Sequence, residues 1–177
     1  PLDLYFAPVF FHANICLMFK PSLERAAYLR NFVFGVEDSL VSTVGLLSGI
    51  ALAGLASRAI FLTGLILIVV EAFSMAVGSF LSEASAADYL NGREVTPRGA
   101  TTDGLIMFFS YFLSGFIPLW PYLFFNTNQA FWLSIIFSLI TLFVLGFGSG
   151  KLFKINYWRS ALRMILIGGI AIAVGIL

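Results

Sequence analysis

Five long stretches of the chain carry few polar residues, and short clusters of polar or turn-forming residues bound each one. They cover about residues 31–56, 59–81, 104–125, 129–148 and 158–177. A hydrocarbon core of about 30 Å takes about 20 apolar residues at a rise of about 1.5 Å each, so every stretch is long enough to cross it as a helix. Strands are excluded, because the stretches are too long and show no alternation of period two. The pattern predicts an all-α polytopic membrane protein with five transmembrane helices. Ahead of the first span, residues 1–19 (PLDLYFAPVFFHANICLMF) are also apolar, but Asp3, Pro8, His12 and Asn14 interrupt them. Residues 1–30 are therefore expected to form a lead-in and interfacial helix, with Ser22 as the N-cap of a helix that runs into the first span. Residues 31–177 are expected to form the transmembrane domain.

Composition agrees. The 177 residues are 60% hydrophobic and 11% charged, with a mean hydropathy of +0.98. A soluble domain of this size exposes too much surface to hide so many apolar side chains. The net charge of +1 matters less than where the charges fall. Lys20, Arg25 and Arg30 precede the first span, Arg93 and Arg98 separate the second from the third, and Lys151, Lys154, Arg159 and Arg163 lie around the link between the fourth and fifth. Five spans put all of these on one side, which the positive-inside rule makes the cytosol. Only Arg58 falls opposite, anchoring the outer turn. The expected topology has a cytosolic N-terminus and an outer C-terminus. No basic tract points to nucleic acid. Cys16 stands alone, so no intramolecular disulfide can form, and His12 has no second histidine with which to share a metal. The start at Pro1, without a basic region or cleavage pattern, has the look of a fragment rather than a signal peptide. An odd number of helices cannot be two inverted halves of one chain.

The acids carry the chemical information, because a carboxylate inside a membrane helix costs a few kcal/mol and usually faces a cavity or partner. Asp38 lies about 10 Å into the first span, while Met75 and Glu71 lie about 9 Å and about 15 Å from the same face on the returning helix. Within VVEAFSMAVGSFLSE, Glu71, Met75, Gly78 and Ser82 share one small, polar face. The first span offers Gly35, Ser39, Ser42 and Gly45, so the two helices are expected to line a narrow polar passage. Plainer readings stand beside this one: Glu37 and Asp38 as caps near an interface, and Met75 as core filling. Carboxylate oxygens suit Mg²⁺, Ca²⁺ and Mn²⁺, and a thioether tilts a mixed site towards Fe²⁺ or a similar first-row ion. Carboxylates in such a passage can also exchange a bound cation for a proton. Pro118 and Pro121 are expected to kink the third span and free backbone carbonyls.

Four motifs in order, GVEDSLVSTVGLLSG, EAFSMAVGSFLSEASAADY, SYFLSGFIPLWPY and NYWRSALRMILIGG, resemble the vacuolar iron transporter family across about residues 30–177. The resemblance implies a five-helix homodimer in which helices one and two of both subunits form an ion path at the two-fold axis, exchanging Fe²⁺ or Mn²⁺ for protons. It places the family's pathway aspartate on Asp38 and its pathway methionine on Met75. Two positions depart from the family pattern: Ser39 replaces a glycine, and Leu67 stands where plant-type members carry an acid, a role that falls to Glu71, one turn before the methionine. The long cytosolic metal-collecting domain of plant-type members has no counterpart in EASAADYLNGREVTPRGATTD, as in the nodulin-like relatives. Gly92 and Pro97 break that segment. Glu83 and Asp88, on an extension of helix two, are expected with Glu37 at the cytosolic mouth, or as a solvated helix face. A prokaryotic plasma membrane is preferred over a vacuolar-type one. The rival readings are a non-transporting scaffold whose acids pair with another subunit, and a passive cation channel.

Overall fold

The computed structural model describes residues 7–91, 98–152 and 156–176, and the side chains of residues 7–24, 98 and 176 lie outside that description. The described residues form helices and no strands: α1 (Ala7–Leu52), α2 (Ser57–Asn91), α3 (Arg98–Leu119), α4 (Pro121–Phe124), α5 (Thr127–Leu152) and α6 (Tyr157–Ile176). Five stretches are long and apolar enough to cross a membrane, the third made of α3 and α4 together. The all-α, five-span expectation holds. α1 begins at Ala7, so Ser22, expected as an N-cap, falls inside the helix. The His12 and Cys16 side chains, and the breakers Gly92 and Pro97, lie outside the described residues.

α1 sits at the centre, packed against α2, α3, α5 and α6. Its buried positions Val36, Leu40, Thr43, Val44 and Leu47 recur at helical spacing and make one stripe. α2 buries only Ile60, Gly64, Ile68 and Ala72, a strict repeat of four. Its outer face is exposed and apolar, with Ile66 at 64% and Phe73 at 65%. Water would not tolerate such a patch, so this surface is met by the lipid bilayer and the chain is an integral membrane protein. α5 buries Ala130, Ser134, Ser138, Gly146 and Gly150, and at the two glycines α6 comes close to its backbone.

The turns follow from the sequence. Gly54, at φ 83°, ends the link between α1 and α2 in the left-handed region that glycine reaches without a Cβ clash. On the same side of the bundle, Ser57 Oγ lies 2.8 Å from Thr127 Oγ1, tying that turn to the one before α5. The two prolines break the third span at Trp120 as expected. The Pro118 carbonyl is not left bare, because the Ser134 hydroxyl of α5 donates to it at 2.8 Å. Six residues, 92–97, separate α2 from α3, which leaves no room for a domain between them.

Candidate functional site

One face of α1 is left open along most of the membrane-spanning stretch. At one end Arg30, Asn31 and Phe34 join Met75, Gly78, Ser82 and Glu83 of α2 around an opening of about 600 Å³. Phe34 also borders the next opening, where Glu37, Asp38 and Val41 face Ile167, Gly168 and Ala171 of α6. Val41 and Ala171 in turn border a third, which continues past Ser42, Gly45 and Gly49. Positions 30, 34, 37 and 38, 41 and 42, 45 and 49 are three or four apart, so this is a single helical face. The three openings line up as a groove along α1, flanked by α2 at one end and by α6 further along, with Phe34 between the first two. The middle opening, about 220 Å³, is large enough for an ion with part of its hydration shell.

The structure places Asp38 and Met75 on this groove, and Glu71 next to Ser42, which lines it. Met75 lines the α2 opening with Gly78 and Ser82. Asp38 lines the α6 opening, and the charges of Asp38 and Glu71 act on each other. Glu71 is fixed at the junction of three helices. The Tyr111 hydroxyl of α3 donates to its Oε2. Ser42 Oγ lies 3.4 Å from the same oxygen and 2.6 Å from the Tyr111 hydroxyl. Ser42 and Gly78 thus stand on the open face. Gly35 and Ser39 do not. Gly35 is packed against Ser110 and Met107 of α3, and fully buried Ser39 donates to the Tyr111 carbonyl at 2.7 Å. Helix geometry explains the correction, since positions 35 and 39 lie further round α1, turned towards α3, than 38 and 42.

At the α2 end, Glu83 and Arg30 share the opening with Met75, and both act electrostatically on Asp103 of α3. Asp103 is buried and accepts from Asn31 Nδ2 at 2.7 Å. Glu37 senses Arg163 of α6. Asp88, on the continuation of α2 to Asn91, is half-buried. Among the described residues, no three His, Cys, Asp or Glu side chains converge as a metal cage. The donors instead lie spread along an open wall.

Tyr111, Asp103 and the α6 wall escape the sequence reading. Asp103 immediately precedes the apolar run of the third span and reads as part of a connecting loop, and Tyr111 sits inside SYFLSGF as one aromatic among many. An acid flush with a span boundary was the available signal for Asp103. Nothing local marks Tyr111.

A helical membrane protein with carboxylates and a thioether set along an open helix face is the class that the fold and site define. The model of the VIT family matches residues 29–98 and 91–177, and the chain belongs to that family. It is 43% identical over 65 residues to "Vacuolar iron transporter homolog 4" of Arabidopsis thaliana, an alignment covering 37% of this chain and 33% of that protein. Against "Vacuolar iron transporter homolog 1" of Oryza sativa subsp. japonica it is 39% identical over 66 residues, 37% of this chain and 28% of the relative. The match thus spans about a third of the length of these relatives. A longer alignment joins it to "Vacuolar iron transporter" of Centaurea cyanus, 25% identical over 205 residues, with 82% of this chain and 84% of that protein covered.

Proposed function

We propose that the chain is a homodimeric transporter that exchanges Fe²⁺ or Mn²⁺ for protons and moves the metal out of the cytosol. The observation that carries this reading is the groove along α1, because Asp38, Met75 and the Glu71 junction all open on it or border it. In this reading a second copy faces the groove through α1 and α2 and closes the open wall into a passage. Asp38 oxygens and the Met75 sulfur coordinate the ion, and the mixed hard and soft set favours first-row divalent ions. Glu71 shares coordination and takes up a proton when the metal leaves. Glu37, with Glu83 and Asp88, draws cations to the cytosolic mouth. The N-terminus is cytosolic and the C-terminus outside, in a prokaryotic plasma membrane. The family match and the names of the relatives support iron as cargo. Manganese and proton coupling rest on donor chemistry and on the resemblance.

The test is uptake of Fe²⁺ and Mn²⁺ into proteoliposomes with an imposed pH gradient. The expected result is uptake that speeds when the lumen is more acidic, with protons leaving as metal enters. Asp38→Ala and Met75→Ala should each abolish rescue of iron-sensitive cells at unchanged protein level. Flux indifferent to the gradient would identify a passive channel, and no flux at all a scaffold. Normal rescue by both variants ends the proposal.

A further inference from the structure

Glu71 is held through one oxygen. Its Oε2 accepts from Tyr111, while Ser42 Oγ stands 3.4 Å off. No hydrogen bond reaches Oε1 among the described residues. A tyrosine hydroxyl carries one proton. Because Tyr111 gives that proton to Glu71, Ser42 must be the donor in the 2.6 Å pair. The relay runs from Ser42 to Tyr111 to Glu71. It is anchored at its centre, since Tyr111 is fully buried and its carbonyl is bonded by Ser39. Neither its ring nor its backbone can follow a carboxylate that swings.

A carboxylate with one oxygen held by a buried hydroxyl presents the other as its freest ligand, and a cation that takes both oxygens must compete with that hydrogen bond. Ca²⁺ collects about six to eight oxygens and often takes both from one carboxylate, whereas smaller divalent ions accept single-oxygen contacts in tighter shells. We infer that Tyr111 is a specificity-determining positioning residue, whose hydroxyl confines Glu71 to one-oxygen coordination and so weighs the pathway against Ca²⁺. The inference rests on the reading that Glu71 meets the transported ion.

The experiment is Mn²⁺ uptake by the full chain in proteoliposomes with Ca²⁺ as competitor. Tyr111→Phe keeps the buried ring and removes only the hydroxyl. The Ca²⁺ concentration that halves uptake should fall about tenfold, the scale of one hydrogen bond to a charged group. The KM for Mn²⁺ should move far less, a split between two ions that a general packing defect does not produce. Ser42→Ala removes the donor behind Tyr111 and should shift the ratio the same way, by about threefold. An unchanged calcium curve in a folded Tyr111→Phe protein overturns the inference. If that variant does not fold, an unchanged curve in Ser42→Ala does so. Glu71→Gln separates the two failures. Native uptake by Glu71→Gln removes Glu71 from the path and the inference with it. Lost uptake there, alongside a native calcium curve in Tyr111→Phe, sinks the inference alone.

Discussion

Asp38 and Glu71 are both carboxylates on membrane-spanning helices, near enough to feel each other's charge, yet the protein holds them in opposite ways. Glu71 is clamped at a three-helix junction by hydroxyls from α1 and α3. Asp38 faces an open cleft against α6 whose other lining is mostly apolar, Phe34, Val41, Ile167, Gly168 and Ala171. A clamped acid can keep one geometry through many cycles. An acid in an open cleft can meet an ion that still carries water. In the proposed function the contrast gives the two residues different tasks, Asp38 as the first intramembrane ligand and Glu71 as the fixed partner beyond it.

The largest effect should come from the open site. Asp38→Asn keeps the shape and removes the charge, and metal uptake should fall by more than about 100-fold, beyond the roughly 10- to 100-fold that losing an outer partner of a metal ligand costs. A fall of only a few-fold would make Asp38 a helix cap and erase the contrast. The clamped site should instead be sensitive to packing. A Cβ at Gly115 would sit 2.7 Å from Ile68 Cγ1 and 3.0 Å from Ser39 Oγ, where α1, α2 and α3 meet. Gly115→Val should therefore cost about 1–3 kcal/mol of stability, read as an earlier thermal transition in detergent. Ser39→Ala removes one interhelical hydrogen bond to the Tyr111 carbonyl. It should cost about 0.6 kcal/mol, the average for such bonds within membranes. The smallest change in protomer stability belongs to Gly78→Val on the groove, since a Cβ there meets nothing within 4 Å. It should shift thermal stability by less than about 0.5 kcal/mol. In the dimeric reading the same variant weakens self-association, measured by the mass of the particle in detergent on dilution.

Much of this arrangement was legible in the sequence, and the boundary between what was and was not is physical. The five spans follow from length and apolarity, which lipid enforces residue by residue. The break of the third span follows from Pro118 and Pro121, whose missing N–H groups act locally. Asp38, Glu71 and Met75 stand out because charge and sulfur are conspicuous in apolar runs. What stayed hidden depends on partners far away in the chain. Tyr111 reaches Glu71 across 40 positions and Asn31 reaches Asp103 across 72, and no periodicity announces such pairs. The split of α1 into an open flank at 38 and 42 and a buried flank at 35 and 39 was likewise invisible, because Gly and Ser are equally at home in a passage and in a tight helix contact. The start of α1 was misplaced for a related reason: Pro8, His12 and Asn14 look like interruptions, yet the helix begins at Ala7.

The central claim is that the open face of α1 is wet while the outer face of α2 is in lipid. Single cysteines placed along each face in a Cys16→Ser background, and challenged with a membrane-impermeant thiol reagent in native membranes, test it directly. Phe34→Cys and Ser42→Cys should react and be protected by Mn²⁺, while Leu62→Cys, Ile66→Cys and Phe73→Cys should not react. Groove positions as inert as Ile66→Cys would contradict the account.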